Sequence, residues 1–246
     1  MYSMQTQIGF ADSGADGKLK LSSAMTMMMN CCQFQEYQEK NLFAYLQQHG
    51  IAIFLASIQM DIIRMPEFRE NITAAVKIYD CRSIYGLRRI TIRDGQGDLC
   101  VVANAAGAFF KIADRKAVKV VPEEFGVVFD AAETMECLPR KIPVPRDGGR
   151  KTFEFPVTPS RLDPNGHMTS AEYLGLAADR LPQDHTFNRV RIEYKHQVKL
   201  GEAVYPVIYG GNEPDSTIIV DMCNKDGVSC AVAEFSTADL FADMKG

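Results

Sequence analysis

The same short plan is written twice in this chain, and the repeat limits the folds open to it. Asp16-Gly17-Lys18 leads shortly to Ser22-Ser23-Ala24, and roughly 148 residues later Asn165-Gly166-His167 leads to Thr169-Ser170-Ala171. Each loop is followed by a helical pattern and then by strand-like runs. Two diverged copies of one helix-on-sheet unit give a pseudo-symmetric double domain of the α+β class, because the helix must bury its apolar stripe on the sheet. Lys18 stands where the second copy has His167, so chemistry, if present, belongs to the second copy.

In the first copy the pattern predicts a helix over 22–48, with Ser22 and Ser23 as capping residues and Gly50 just past its end. Met25, Met28, Met29 and Cys32 recur at helical spacing, and Leu42, Tyr45 and Leu46 resume the stripe. Two readings are open for the methionines: a packed core, or a channel for a long alkyl group lined by adaptable thioethers. Strands are expected at 51–65, 71–81, 84–94, 98–111 and 116–121, with Asp94-Gly95 as a hairpin signal. Residues 133–151 hold Pro139, Pro143, Pro145, Gly148 and Gly149, a density of breakers that reads as a linker between domains at 1–132 and 152–246. The linker is locally basic, through Arg140, Lys141, Arg146, Arg150 and Lys151. Beyond it come a strand at 152–158, a helix at 170–180, and strands near 187–199, 203–211, 216–225 and 228–237.

Composition removes whole classes of function. The chain has 246 residues, 46% of them hydrophobic, with only 18 Gly and 11 Pro, which excludes a disordered or collagen-like polymer. A formal charge of −4 argues against a general nucleic-acid binder, which must meet a polyanion with a dominant basic surface. No uninterrupted apolar run is long enough to span a bilayer; the most apolar stretch, Ile51 to Met65, is broken by Gln59, Asp61 and Arg64. The first residues lack the charged and apolar regions of an export signal, so a reducing, cytoplasmic setting is expected. The seven cysteines contain no C-x-x-C pair and no metal-ligand spacing with the four histidines, and are expected to be free thiols.

The densest polar set is Ser160 to Tyr173. Thr169 and Glu172 match a capping box, and Leu174, Ala177, Ala178 and Leu181 follow at helical spacing. The loop thus delivers Asp163, Asn165 and His167 to a helix N-terminus, where unpaired N–H groups can polarise a carbonyl and hold an oxyanion. Histidine there can serve as base or donor near neutral pH, its tautomer set by a nearby carboxylate. Read as a pattern alone, the same D-x-N-G residues are better explained by ordinary turn chemistry.

The order and spacing of these elements resemble the acyl-ACP thioesterase family of plants and bacteria, whose members are tandem hotdog domains, each a long central helix wrapped by an antiparallel sheet. The motifs that carry the resemblance run along nearly the whole chain: Asp16-Gly17-Lys18-Leu19-Lys20-Leu21, Ile62-Ile63-Arg64-Met65-Pro66, Asp163-Pro164-Asn165-Gly166-His167-Met168, Tyr173-Leu174, Leu181-Pro182, Ile192-Glu193-Tyr194-Lys195 and Gly201-Glu202-Ala203-Val204. The resemblance implies hydrolysis of a fatty acyl thioester of acyl carrier protein, without metal or other cofactor. It implies Asp163, Asn165 and His167 as catalytic residues, and a glutamate after the E-Y-R/K strand that acts on the attacking water. That position is Gln197 here, and the family's two Asn after the His-Val pair are Thr169 and Ser170. Glutamine can hold a water but cannot take its proton.

By the same resemblance the acyl tail enters the first domain beside Met25, Met28 and Met29. An acidic carrier protein calls for a basic docking face. Arg140, Lys141, Arg146, Arg150 and Lys151 are candidates, and Arg189, Arg191 and Lys195 are rivals. Competing readings are an acyl-CoA thioesterase or dehydratase on the same scaffold, or a non-catalytic acyl or carrier-binding protein, the latter motivated by Gln197. Tandem fusion is compatible with a monomer or a homodimer.

Overall fold

The computed structural model describes residues 1–211, 213 and 215–240. The chain divides into two compact units, one of Met1–Ile58 with Arg64–Cys137, the other of Gln59–Ile63 with the chain from Leu138 onward.

The first unit contains β1 (Tyr2–Gln7), α1 (Leu21–Gln38), α2 (Lys40–His49), β2 (Ile51–Ile62, its last residues belonging to the second unit), β3 (Asn71–Arg82), β4 (Tyr85–Asp94), β5 (Leu99–Lys111), β6 (Lys116–Ala117) and α3 (Pro122–Phe125). Its sheet has the order β1-β3-β4-β5-β2, with β6 added to β5. Helix α1 buries Ala24, Met25, Met28, Cys31, Cys32 and Gln35, one stripe at 3.6-residue period, and packs on β3, whose Ile72, Ala74, Val76 and Ile78 alternate inward.

The helix expected over 22–48 is two helices. The chain leaves helical geometry at Glu39 (φ −76°, ψ 75°), and α2 then turns Leu42 and Leu46 into a separate cluster with Ile51, Ile78, Phe109, Val120 and Phe125. No Pro or Gly marks the break, and the apolar stripe keeps its period across it, so packing alone produces it. Ser22 and Ser23 do not cap α1. Lys20 occupies the N-cap without a side-chain hydrogen bond, and the carbonyl of Lys20 already accepts from Ala24 N–H at 2.9 Å. Gly50 does close α2, in the left-handed conformation (φ 62°) that a residue without Cβ adopts at no steric cost. Strand β1 was not expected. It lies at the sheet edge beside β3, and its shallow alternation of half-buried and exposed residues is a weak signal.

The second unit contains β7 (Arg150–Lys151), β8 (Phe155–Pro156), a 3₁₀ turn (Pro159–Arg161), α4 (Ser170–Ala178), β9 (Arg189–Tyr194), β10 (Ala203–Gly210), β11 (Ile218–Cys223) and β12 (Ser229–Ser236). The end of β2 lies beside β9, followed by β12, β11, β10 and β7, with β8 also on β10. Of the strand expected at 152–158 only Phe155–Pro156 forms, with Arg150–Lys151 pairing just before that range. Pro206 in β10 offers no N–H to the ladder there, and the pairing slips by one residue between Lys151↔Val207 and Phe155↔Val204. Helix α4 buries Tyr173, Leu174, Leu176 and Ala177, packing on β11 and β12.

Candidate active site

Asp163, Asn165 and His167 lie on one tight loop before α4. The loop closes through Asp163 N–H to His167 carbonyl (2.8 Å) and Gly166 N–H to Asp163 carbonyl (2.9 Å), with Gly166 in the left-handed region at φ 78°. Asp163 Oδ1 accepts from the backbone N–H of Asn165 (2.9 Å) and of His167 (3.1 Å). In these bonds the carboxylate holds the backbone that carries the histidine.

The loop is docked on both sides. Leu162 bridges Met168, and His167 bridges Lys199 in antiparallel register. Met168 N–H donates to Val198 carbonyl at 3.0 Å, so the register sets Gln197 opposite Thr169, at the start of α4. Gln197 is exposed there. Lys199 is itself fixed by Glu202, whose Oε2 accepts its N–H at 2.7 Å. Glu202 belongs to the G-E-x-V turn and thus positions the strand that flanks His167.

Thr169 is the N-cap of α4, its Oγ1 accepting from Glu172 N–H at 3.2 Å. The reciprocal arm of the capping box does not form. Glu172 instead pairs with Arg161 at 2.6 Å, and the Arg161 guanidinium lies 4.0 Å from the centre of the Phe155 ring. Thr169 N–H is taken by Arg161 carbonyl and Met168 N–H by Val198. Of the N–H groups at 168–170 that open the helix, two are therefore occupied. The first N–H groups of the helix itself, on Ser170 and Ala171, make no hydrogen bond among the described residues. Tyr194 anchors the same turn by donating to Ser170 carbonyl at 3.0 Å, and Glu193 beside it accepts from Arg140 Nη1 (3.0 Å) and Ile142 N–H (3.2 Å). The E-Y-K motif is thus structural, a role its pattern alone does not disclose.

The first unit repeats the loop's backbone without its chemistry. Gly14 N–H donates to Lys18 carbonyl at 2.8 Å, Gly17 has φ 76°, Ser13 bridges Leu19 and Lys18 bridges Glu67. Each of these features corresponds to one at Asp163, Gly166, Leu162 and His167.

The methionines fall apart as a set. Met25 and Met28 are fully buried in the core and Met29 is half-buried. A shallow crevice in the first unit, partly open to solvent, is lined instead by Leu42, Ile53, Ile78, Gly86, Phe109 and Phe129 among others. None of Met25, Met28 and Met29 lines it. Of the rival basic residues, Arg189 is buried on Asp61 (2.7 and 2.8 Å) and Arg191 on Glu234 (2.7 Å) and Pro139 carbonyl, so neither offers a docking charge. Lys195 is exposed and donates to Ser229 Oγ at 3.2 Å. In the linker Arg140 is committed to Glu193, whereas Lys141, Arg146, Arg150 and Lys151 are exposed.

No helix among the described residues is long and apolar enough to cross a membrane. Two solved structures superpose over nearly the full chain. An acyl-ACP thioesterase from Bacteroides thetaiotaomicron has TM-score 0.83 and 16% identity, covering 95% of this chain and 96% of its own. A 12:0-ACP thioesterase from Umbellularia californica has TM-score 0.82 and 12% identity, covering 96% of each. The architecture is therefore the tandem hotdog fold. No curated protein gives a significant sequence match. The family model for the acyl-ACP thioesterase N-terminal domain matches residues 1–127, and that for the C-terminal domain matches residues 146–233. With both domain models matched in order, the chain belongs to the acyl-ACP thioesterase family, a family of thioester hydrolases.

Proposed function

We propose that hydrolysis of the fatty acyl-ACP thioester takes place at the loop Asp163–His167 and the open N-terminus of α4. The observation that carries this reading is the pair of uncommitted N–H groups on Ser170 and Ala171, three to four residues beyond a histidine whose backbone is pinned on both sides. A water held by Gln197 and Asn165 attacks the thioester carbonyl as His167 takes its proton. The helix N–H groups stabilise the oxyanion, and the carrier thiolate leaves with the proton returned by His167. Asp163 acts through the backbone of the loop. Seven free thiols support a reducing, cytoplasmic setting.

The test is release of fatty acid from a panel of acyl-ACPs of different chain lengths. His167→Ala should lower turnover by about 10² to 10⁴ while leaving the thermal melt unchanged; undiminished release would remove His167 from the chemistry. Acyl-ACP bound without release by the unaltered chain would favour the carrier-binding reading that exposed Gln197 motivates. Lys141, Arg146 and Arg150 are the proposed docking charges for the acidic carrier. Reversing all three should impair use of acyl-ACP far more than use of a small free thioester, and an equal loss on both would refute the assignment.

A further inference from the structure

The outer face of the first unit's sheet holds a cation without a counter-ion. Arg89 on β4 is only 5% exposed, and its Nε and Nη1 have no hydrogen-bond partner. No carboxylate pairs with it among the described residues. Its neighbours across the ladder are Lys77 on β3 and Asn104 on β5, and its guanidinium lies 5.3 Å from the centre of the Tyr79 ring. Tyr79 occupies the bulge between Ile78 and Asp80 and donates to Asn104 Oδ1 at 2.6 Å. The segment crossing this face brings Glu133, but its Oε1 goes to Lys77 (3.0 Å) and Arg93 (3.5 Å). What that segment places against Arg89 is a thiol: Arg89 Nη2 lies 3.7 Å from Cys137 Sγ. A buried guanidinium is costly unless an anion compensates it, and a thiolate or its oxidised forms are anions of the right size at the right place.

We propose that Cys137 is an oxidation-sensitive modification site, at which a hydroperoxide converts the thiolate to a sulfenate held by Arg89. Thiolate sulfur attacks the terminal peroxide oxygen, the O–O bond breaks, the S–O bond forms, and the alcohol or water leaves after taking up a proton. Sulfur is oxidised by two electrons and the peroxide reduced by two. A small thiol can then displace the sulfenic oxygen as water to give a mixed disulfide. Geometry singles out this cysteine, since it alone of the seven is exposed. Burial pushes the other six thiols up, Cys31 and Cys223 to about 12 and Cys230 to about 11, which holds them in the unreactive protonated form.

The experiment treats the intact folded protein with hydrogen peroxide in the presence of dimedone and maps the adduct by peptide mass. In parallel, the pH dependence of iodoacetamide alkylation at Cys137 reports the thiolate directly. Dimedone should mark Cys137 in the unaltered chain and nothing in Cys137→Ser. Arg89→Gln should slow labelling at pH 7 by about five- to tenfold and move the alkylation midpoint upward, while Arg89→Lys keeps both within about twofold. Label on another cysteine, or an unchanged rate and midpoint in Arg89→Gln, would overturn the proposal. Should Arg89→Gln fail to melt cooperatively, the unaltered chain decides: absence of dimedone label at Cys137, or label spread over the other cysteines, also overturns it.

Discussion

Asp163 separates two accounts of the active-site loop. If its carboxylate oriented the imidazole electrostatically, removing the charge would cost as much as removing the side chain. The structure instead shows Oδ1 accepting from two backbone N–H groups, at 2.9 and 3.1 Å. Hydrogen bonds to a charged acceptor contribute about 1.5 kcal/mol each at a half-exposed position, so Asp163→Ala should weaken the closed loop by about 3 kcal/mol. If turnover tracks the closed population, that is a loss of roughly a hundredfold. Asparagine keeps an oxygen acceptor at the same place, with neutral bonds of about 0.5–1 kcal/mol each, and should lose about tenfold. The assay is single-turnover release from one acyl-ACP, with circular dichroism confirming that each variant folds. Asp163→Asn falling as far as Asp163→Ala, or beyond about 10³, would refute the backbone role and place the charge in the chemistry.

Two further outcomes follow from named contacts. Gln197→Glu should raise turnover and add an acid limb to the pH profile, because a carboxylate facing the start of α4 can take the proton that glutamine cannot; a fall in rate would show a site adapted to glutamine. Arg64 bonds Glu70 (2.6 and 3.0 Å) and Asp94 (2.6 Å), and this bonding holds the Glu70 carboxyl below its ordinary 4.5. A depressed folded-state value stabilises the protein above the ordinary value and is lost as pH falls through the lowered one. The melting-temperature gap between the unaltered chain and Arg64→Gln should therefore close as pH falls below the ordinary carboxylate value of 4.5, and a gap independent of pH would sink this account.

Much of this was legible before any coordinates. The doubled D-G-K and N-G-H loops announced two copies of one unit, since a tight turn with a left-handed glycine needs those residue types, and both copies close in the same way at Gly17 and Gly166. Strands β3, β4 and β5 begin and end within a residue or so of their apolar runs, because each is bounded by turn residues. Thr169 was identifiable as a cap from its place before the apolar period. Family motifs pointed to Asp163, Asn165, His167 and Gln197 as residues, though not to what each touches.

The rest depended on partners distant in sequence. The break at Glu39 has no local breaker and arises because α2 packs on Phe109 and Phe125. Arg189 and Arg191 read as surface charges on a strand until Asp61, 128 residues away, and Glu234 are found beside them. Met25, Met28 and Met29 share a helical face, yet which apolar face becomes core and which borders a crevice is set by the strands laid over it. Glu172 forms half of a capping box because Arg161 competes for its carboxylate at 2.6 Å. Periodicity and turn chemistry are local and survive in the one-dimensional chain. Counter-ions, helix breaks and occupied N–H groups are settled by which segments meet, and only the tertiary structure decides that.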